Sequence, residues 1–171
     1  MGIGSAAGWF IERGIPDLMS LDDLLPAETT SPEATMALGE QLAGALRSGD
    51  VLALYGDLGA GKTYLVKGIA RGLGGQPEDV TSPTFTLIQE YATDPPLHHI
   101  DVYRIEQLPE LERMGLGEYL HGNGICVIEW PERMEPLLPG RTIRLRLKHL
   151  DESRRLIERE KGNGTILNAE E

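Results

Sequence analysis

The residues Gly56-Asp57-Leu58-Gly59-Ala60-Gly61-Lys62-Thr63 follow the pattern G-x-x-x-x-G-K-[ST], and each residue type in it has a physical task. Glycines let backbone N–H groups curl around an anion without a Cβ in the way. A helix that starts at the loop adds the positive end of its dipole. In such a loop the Lys62 ammonium reaches the β- and γ-phosphates of a bound nucleotide, and the Thr63 hydroxyl ligates Mg²⁺. At this chain's residue frequencies roughly 0.005 chance matches to the pattern are expected, so an ordinary glycine turn explains it poorly.

A phosphate loop needs an acid at the end of a neighbouring apolar strand, to hold Mg²⁺ or to orient the attacking water. Glu129 closes the run Ile125-Cys126-Val127-Ile128 and supplies one. Asp101, within His98-His99-Ile100-Asp101-Val102-Tyr103-Arg104, is a second. On a strand His99, Asp101 and Tyr103 face one way. The remaining histidines, His121 and His149, have no metal-ligand spacing, so this strand reads as a polar edge aimed at the nucleotide. The spacing does not choose between Asp101 and Glu129 as the group that positions water. Thr81-Ser82-Pro83-Thr84-Phe85-Thr86 packs hydroxyls around a proline. It reads as an ordinary turn, or as a switch loop that sets Ser82 or Thr84 on the γ-phosphate or Mg²⁺. Arg144, Arg146 and Lys148 form a basic stripe, by default a solvated strand face, with partner or RNA contact as the alternative. Cys126 reads as a small buried apolar residue.

The elements that must position these groups are legible in the patterning. Ser31-Pro32 starts a helix, with the hydroxyl at the cap and proline in the first turn, and Ala34, Leu38, Leu42 and Leu46 give it one apolar stripe. Val51 to Tyr55 and Ile125 to Trp130 are apolar runs of the kind buried on both faces of a parallel sheet. A helix carrying Leu65, Ile69 and Leu73 follows the glycine loop. Strands are expected over Thr86–Tyr91 and His98–Tyr103, with a helix from Pro109 to about Gly115. Arg141 to Leu150 alternates as a half-exposed strand, and Asp151 to Lys161 reads as a terminal helix capped by Gly162. The fold class predicted is α/β: a P-loop NTPase-type three-layer α/β/α arrangement with a mainly parallel sheet and some antiparallel strands. The expected division is an N-terminal extension at 1–29 with a short helix over Leu21–Leu25, a main domain at 30–150, and a C-terminal helix and tail at 151–171.

Composition bounds the function. The 171 residues suit one domain, with 40% hydrophobic and 25% charged residues in an ordinary globular mix. The net charge of −11 argues against a free-standing nucleic-acid binder that blankets phosphates with Lys and Arg. Of that charge −4 falls on residues 1–30, −5 on 31–150 and −2 on 151–171. One cysteine excludes an internal disulfide and fits a reducing cytosol. No targeting segment and no membrane span is visible, so a cytoplasmic protein is expected.

Together these motifs resemble the TsaE (YjeE) family of bacterial P-loop ATPases. The matching pieces are GDLGAGKT (Gly56–Thr63), TSPTFTL (Thr81–Leu87), HIDVYR (His99–Arg104), MGLGEYL (Met114–Leu120) and VIEWPERM (Val127–Met134). LGEQLA (Leu38–Ala43) and Leu138-Pro139 fit too, so the likeness covers about residues 30–150. The resemblance implies an ATPase required for threonylcarbamoylation of the adenosine beside the tRNA anticodon. Such a protein serves a transferase complex of TsaD and TsaB and meets tRNA only through that complex. It implies ATP and Mg²⁺ at Asp57, Leu58, Gly59, Ala60, Gly61, Lys62, Thr63 and Tyr64, with Thr63 and Glu129 as metal ligands. Lys62, Asp101 and Glu129 match catalytic positions, and Ser82, Thr84 and Trp130 match switch and activity-linked ones. Tyr64 stands where relatives commonly carry a second threonine.

Two other function classes compete. A small-molecule or nucleotide kinase would add an Arg-bearing lid, and no compact Arg-rich segment follows the loop helix. A nucleotide-gated binding module would use ATP to set partner affinity and hydrolysis only to reset it.

Overall fold

In the computed structural model residues 19–83 and 87–161 are described. Chain order is α1 (Leu21–Leu24), β1 (Ala27–Thr29), α2 (Pro32–Ala45), β2 (Val51–Tyr55), α3 (Lys62–Gly72), β3 (Ile88–Tyr91) and β4 (Leu97–Asp101). There follow α4 (Leu108–Arg113), α5 (Leu116–Leu120), β5 (Ile125–Glu129), β6 (Ile143–His149) and β7 (Arg155–Glu160). Short 3-10 stretches cover Pro77–Asp79 and Pro131–Leu137.

Among the described residues the strands form one seven-stranded sheet in the order β1-β7-β6-β2-β5-β4-β3. The four inner strands β6, β2, β5 and β4 run parallel, and the strands outside them pair antiparallel. β2 and β5, the two continuous apolar runs, lie side by side at the centre and are buried at every position. Alternation along β5 divides the core. Ile125 and Val127 pack with the leucines of α2 and α3 on one face. Cys126 and Ile128 pack with Leu111, Leu116, Leu120 and Met134 on the other. Helices on both faces of a sheet that is parallel at its centre are the expected three-layer arrangement.

The start of α2 follows its local signals, with the Ser31 hydroxyl accepting the Ala34 amide and Pro32 in the first turn. The short helix at Leu21 is also present, capped by Ser20 and Asp23 in a reciprocal box. Leu21, Leu24 and Leu25 are buried in the α2–α3 side of the core, and β1 joins the sheet against β7.

The helix expected over Asp151–Lys161 is not formed: Arg155–Glu160 is strand β7, paired with β6 on one side and β1 on the other. The charged, helix-favouring composition misled. Tertiary pairing overrides it, burying Ile157 and setting Glu158 and Glu160 in ion pairs with Lys148 and Arg146 of the neighbouring strand. Gly162, the expected cap, lies outside the described residues, as does Thr86 at the expected start of β3.

Candidate functional site

Glu129 and Asp101 end neighbouring parallel strands in register, so two carboxylates stand side by side at the C-terminal edge of the sheet. Ligands of open α/β sheets bind at this edge. Glu129 lies on the α2–α3 face by the alternation of β5, and Leu54 of β2 is its neighbour on the other side. The chain leaves β2 at Tyr55, turns through the glycine loop and enters α3 at Lys62. Gly56, Gly59 and Gly61 all have positive φ. Gly56 is the tightest, since a Cβ there would lie 2.6 Å from the Leu147 carbonyl oxygen. The first intrahelical bond runs from the Leu65 amide to the Gly61 carbonyl. The amides of Lys62, Thr63 and Tyr64 precede it and carry the positive end of the helix.

A cavity of about 370 Å³ opens above these groups. Of the residues singled out from sequence, Leu58, Gly59, Ala60, Gly61, Lys62, Thr63, Tyr64, Ser82, Asp101, Glu129 and Trp130 line it. Asp57 is exposed and does not line it; its carbonyl accepts the Ala60 amide and closes the loop. Thr84 lies outside the described residues.

Lys62 is only 5% exposed. Its ammonium donates to the Gly56 carbonyl and sits 3.9 Å from the centroid of the Trp130 ring. Burial lowers its pKa, against the opposing pull of Glu129, Glu132, Asp101 and Asp57 in that order. Trp130 holds its place with a left-handed backbone, φ 59° and ψ 46°, and Tyr103 packs on it at 4.8 Å between ring centroids. Asp101 is buried; Oδ1 accepts the Tyr103 amide at 2.8 Å, and Oδ2 accepts the Ser82 hydroxyl at 3.3 Å. Glu129 is equally buried, and its Oε1 meets His99 Nε2 at 2.8 Å.

The donor set fits Mg²⁺. Among the described residues no group of three or more His, Cys, Asp or Glu converges as a metal cage. Two carboxylates and the Thr63 hydroxyl at one cavity are the oxygen donors that would suit a hard cation.

The sequence missed part of the wall. Ser31, Pro32 and Thr35 of α2, and Glu152, Ser153 and Arg155 from the turn and first residue of β7, also line the cavity. The Ser31-Pro32 signal marked a helix start, yet nothing in it said which neighbour that start would face. Arg155 was hidden by the helical reading of its segment. Together with His149 it reaches the Gly59 carbonyl, at 3.5 and 2.7 Å respectively, and so braces the loop from the β6–β7 hairpin. Conversely the basic stripe is occupied: Arg144, Arg146 and Lys148 pair with Glu135, Glu160 and Glu158. Cys126 is core, and burial pushes its thiol up to about 12.

The sheet order, the glycine loop and the helix behind it define an α/β fold of the P-loop NTPase type. Within that class, the family model described as threonylcarbamoyl adenosine biosynthesis protein TsaE matches residues 29–157, and the chain belongs to this family. Among similar proteins is the tRNA threonylcarbamoyladenosine biosynthesis protein TsaE of Bacillus subtilis, 46% identical over 130 residues, 75% of this chain and 80% of that one. The protein of the same name from a Nostoc species is 42% identical over 155 residues, covering 88% and 94%. A crystal structure of YdiB from Bacillus subtilis superposes with a TM-score of 0.64 at 41% identity, over 78% of this chain and 82% of that one. Among the described residues no helix is long and apolar enough to cross a membrane.

Proposed function

We propose that this chain is a Mg-dependent ATPase of tRNA threonylcarbamoyladenosine synthesis, working in the cytoplasm with TsaD- and TsaB-type proteins and meeting tRNA only through them. Family membership supports the pathway. The single observation that supports the chemistry is that the Lys62 end of α3 and the buried pair Asp101 and Glu129 line one cavity.

The reaction is in-line attack of water on the γ-phosphorus of ATP, releasing ADP and phosphate. The loop amides and Lys62 gather the charge that spreads over the transferred phosphoryl oxygens. Glu129 lines the same cavity as Lys62 and Thr63, and we assign it with Thr63 to the metal. A Mg²⁺ held by these two residues would supply positive charge against the negative charge that develops on the transferred group. Asp101, held by the Tyr103 amide and the Ser82 hydroxyl, is left to orient the attacking water. Trp130, packed against Tyr103, forms an aromatic wall beside Lys62.

The test is ATP turnover with and without TsaD, TsaB and tRNA. Lys62→Ala is expected to abolish turnover in the full mixture, and normal turnover in that variant would remove this mechanism. Phosphoryl transfer to a metabolite in preference to water would replace it with a kinase.

A further inference from the structure

We propose that His99 is a positioning residue for Glu129, its Nε2–H holding one carboxylate oxygen so that the acid stays turned to the cavity and away from Lys62. This rests on the reading of Glu129 as a metal-site group.

The register makes the contact possible. Asp101 lies opposite Glu129, and His99 lies opposite Val127, two residues earlier on the same pair of strands. Side chains two apart share a face, so His99 sits beneath both acids, on the α3 side. It is fully buried, as is nearly all of Glu129, at side-chain exposures of 0% and 4%. Packing alone does not call for an imidazole here, because an apolar side chain would fill the space without burying polar atoms. Among the described residues the other ring nitrogen, Nδ1, has no hydrogen-bond partner, whereas Nε2 meets Glu129.

The consequence follows from what surrounds Glu129. Lys62 lines the same cavity, yet its ammonium goes to the Gly56 carbonyl and the Trp130 ring, while Glu129 pairs with His99. A glutamate has three rotatable bonds. Released from His99, it is free to swing onto Lys62, taking both groups out of service at once. Partners that orient a ligating carboxylate are worth about 10–100-fold in metal affinity or activity.

The experiment compares amide replacements. Gln places its Nε2 near the position of the histidine Nε2, whereas Asn is too short and leaves Glu129 without its donor. With partner proteins and tRNA present, His99→Asn is expected to lower kcat about tenfold or more, with the KM for ATP within about twofold. The Mg²⁺ concentration for half-maximal ADP binding, read by calorimetry, should rise about tenfold, while metal-free ADP affinity stays unchanged. His99→Gln should recover most of both losses. A structural role would instead move the two variants together, in step with their melting temperatures. In a Glu129→Gln background His99→Asn should change nothing further, since neighbours acting as one unit are not additive. Equal losses for Asn and Gln, or full additivity with Glu129→Gln, overturns the proposal. Should His99→Asn fail to fold, His99→Gln still decides: loss of Mg²⁺ affinity in that folded variant counts against the bond. Parental turnover and Mg²⁺ dependence in Glu129→Gln alone removes the metal-site reading, and the proposal with it, a result separable from the others.

Discussion

Lys62 shows how a single residue sets function against stability. Burial lowers its pKa, so between the lowered value and 10.5 the folded chain binds fewer protons than the unfolded one. Stability tied to this group therefore rises as pH climbs through that window, and at neutral pH the buried ammonium is a cost. Lys62→Met keeps the stem and removes the charge. We expect that variant to gain about 1 kcal/mol in thermal unfolding at pH 7 while losing ATP turnover; a lower melting temperature would refute the electrostatic argument. At this scale the sequence was informative where chemistry constrains spacing, as in the glycine loop and the acids at strand ends. It said that His99 and Asp101 share a face, and they do. It could not say that His99 would reach diagonally to Glu129, because that depends on which strand lies alongside and in what register.

At the scale of elements, α2 and α3 pack closely enough that glycine is obligatory at one crossing. A Cβ on Gly68 would lie 1.9 Å from the Met36 carbonyl oxygen, backbone that cannot move aside cheaply. Gly44, in the same helix as Met36, has open space around its Cβ direction and is exposed. Gly68→Ala should therefore cost about 1–3 kcal/mol in chemical denaturation. Gly44→Ala should add about 0.5–1 kcal/mol through helix propensity. Equal effects at the two sites would contradict the packing. The apolar strands, both major helices and the strand Ile143–His149 were readable because their periodicity reports burial directly. β7 was not. Arg-Arg-Leu-Ile-Glu-Arg-Glu satisfies a helix locally, and only the acids' partners on β6 and the edge strand β1 make it a strand.

At the scale of the molecule, residues 19–29 connect distant parts. Leu21, Leu24 and Leu25 are buried; Asp22 pairs with Arg159 and Glu28 with Arg154; Thr29 shares a hydroxyl hydrogen bond of 2.7 Å with Thr35 at the cavity wall. A chain beginning at Thr30 should lose about 3–6 kcal/mol of stability, taking each buried leucine at the lower end of its transfer value. It should also bind ADP more weakly at a temperature where it remains folded, and unchanged affinity there would detach this segment from the site. Among the described residues the sheet ends in strands of three and four residues, β1 and β3. Such short edges offer little template for cross-chain strand pairing. The long apolar strands are sequestered at the centre, so that protection vanishes once the sheet opens. Heating past the transition therefore exposes the segments most prone to cross-chain pairing, and loss of the native state becomes a matter of rate, with an apparent melting point that moves with heating speed.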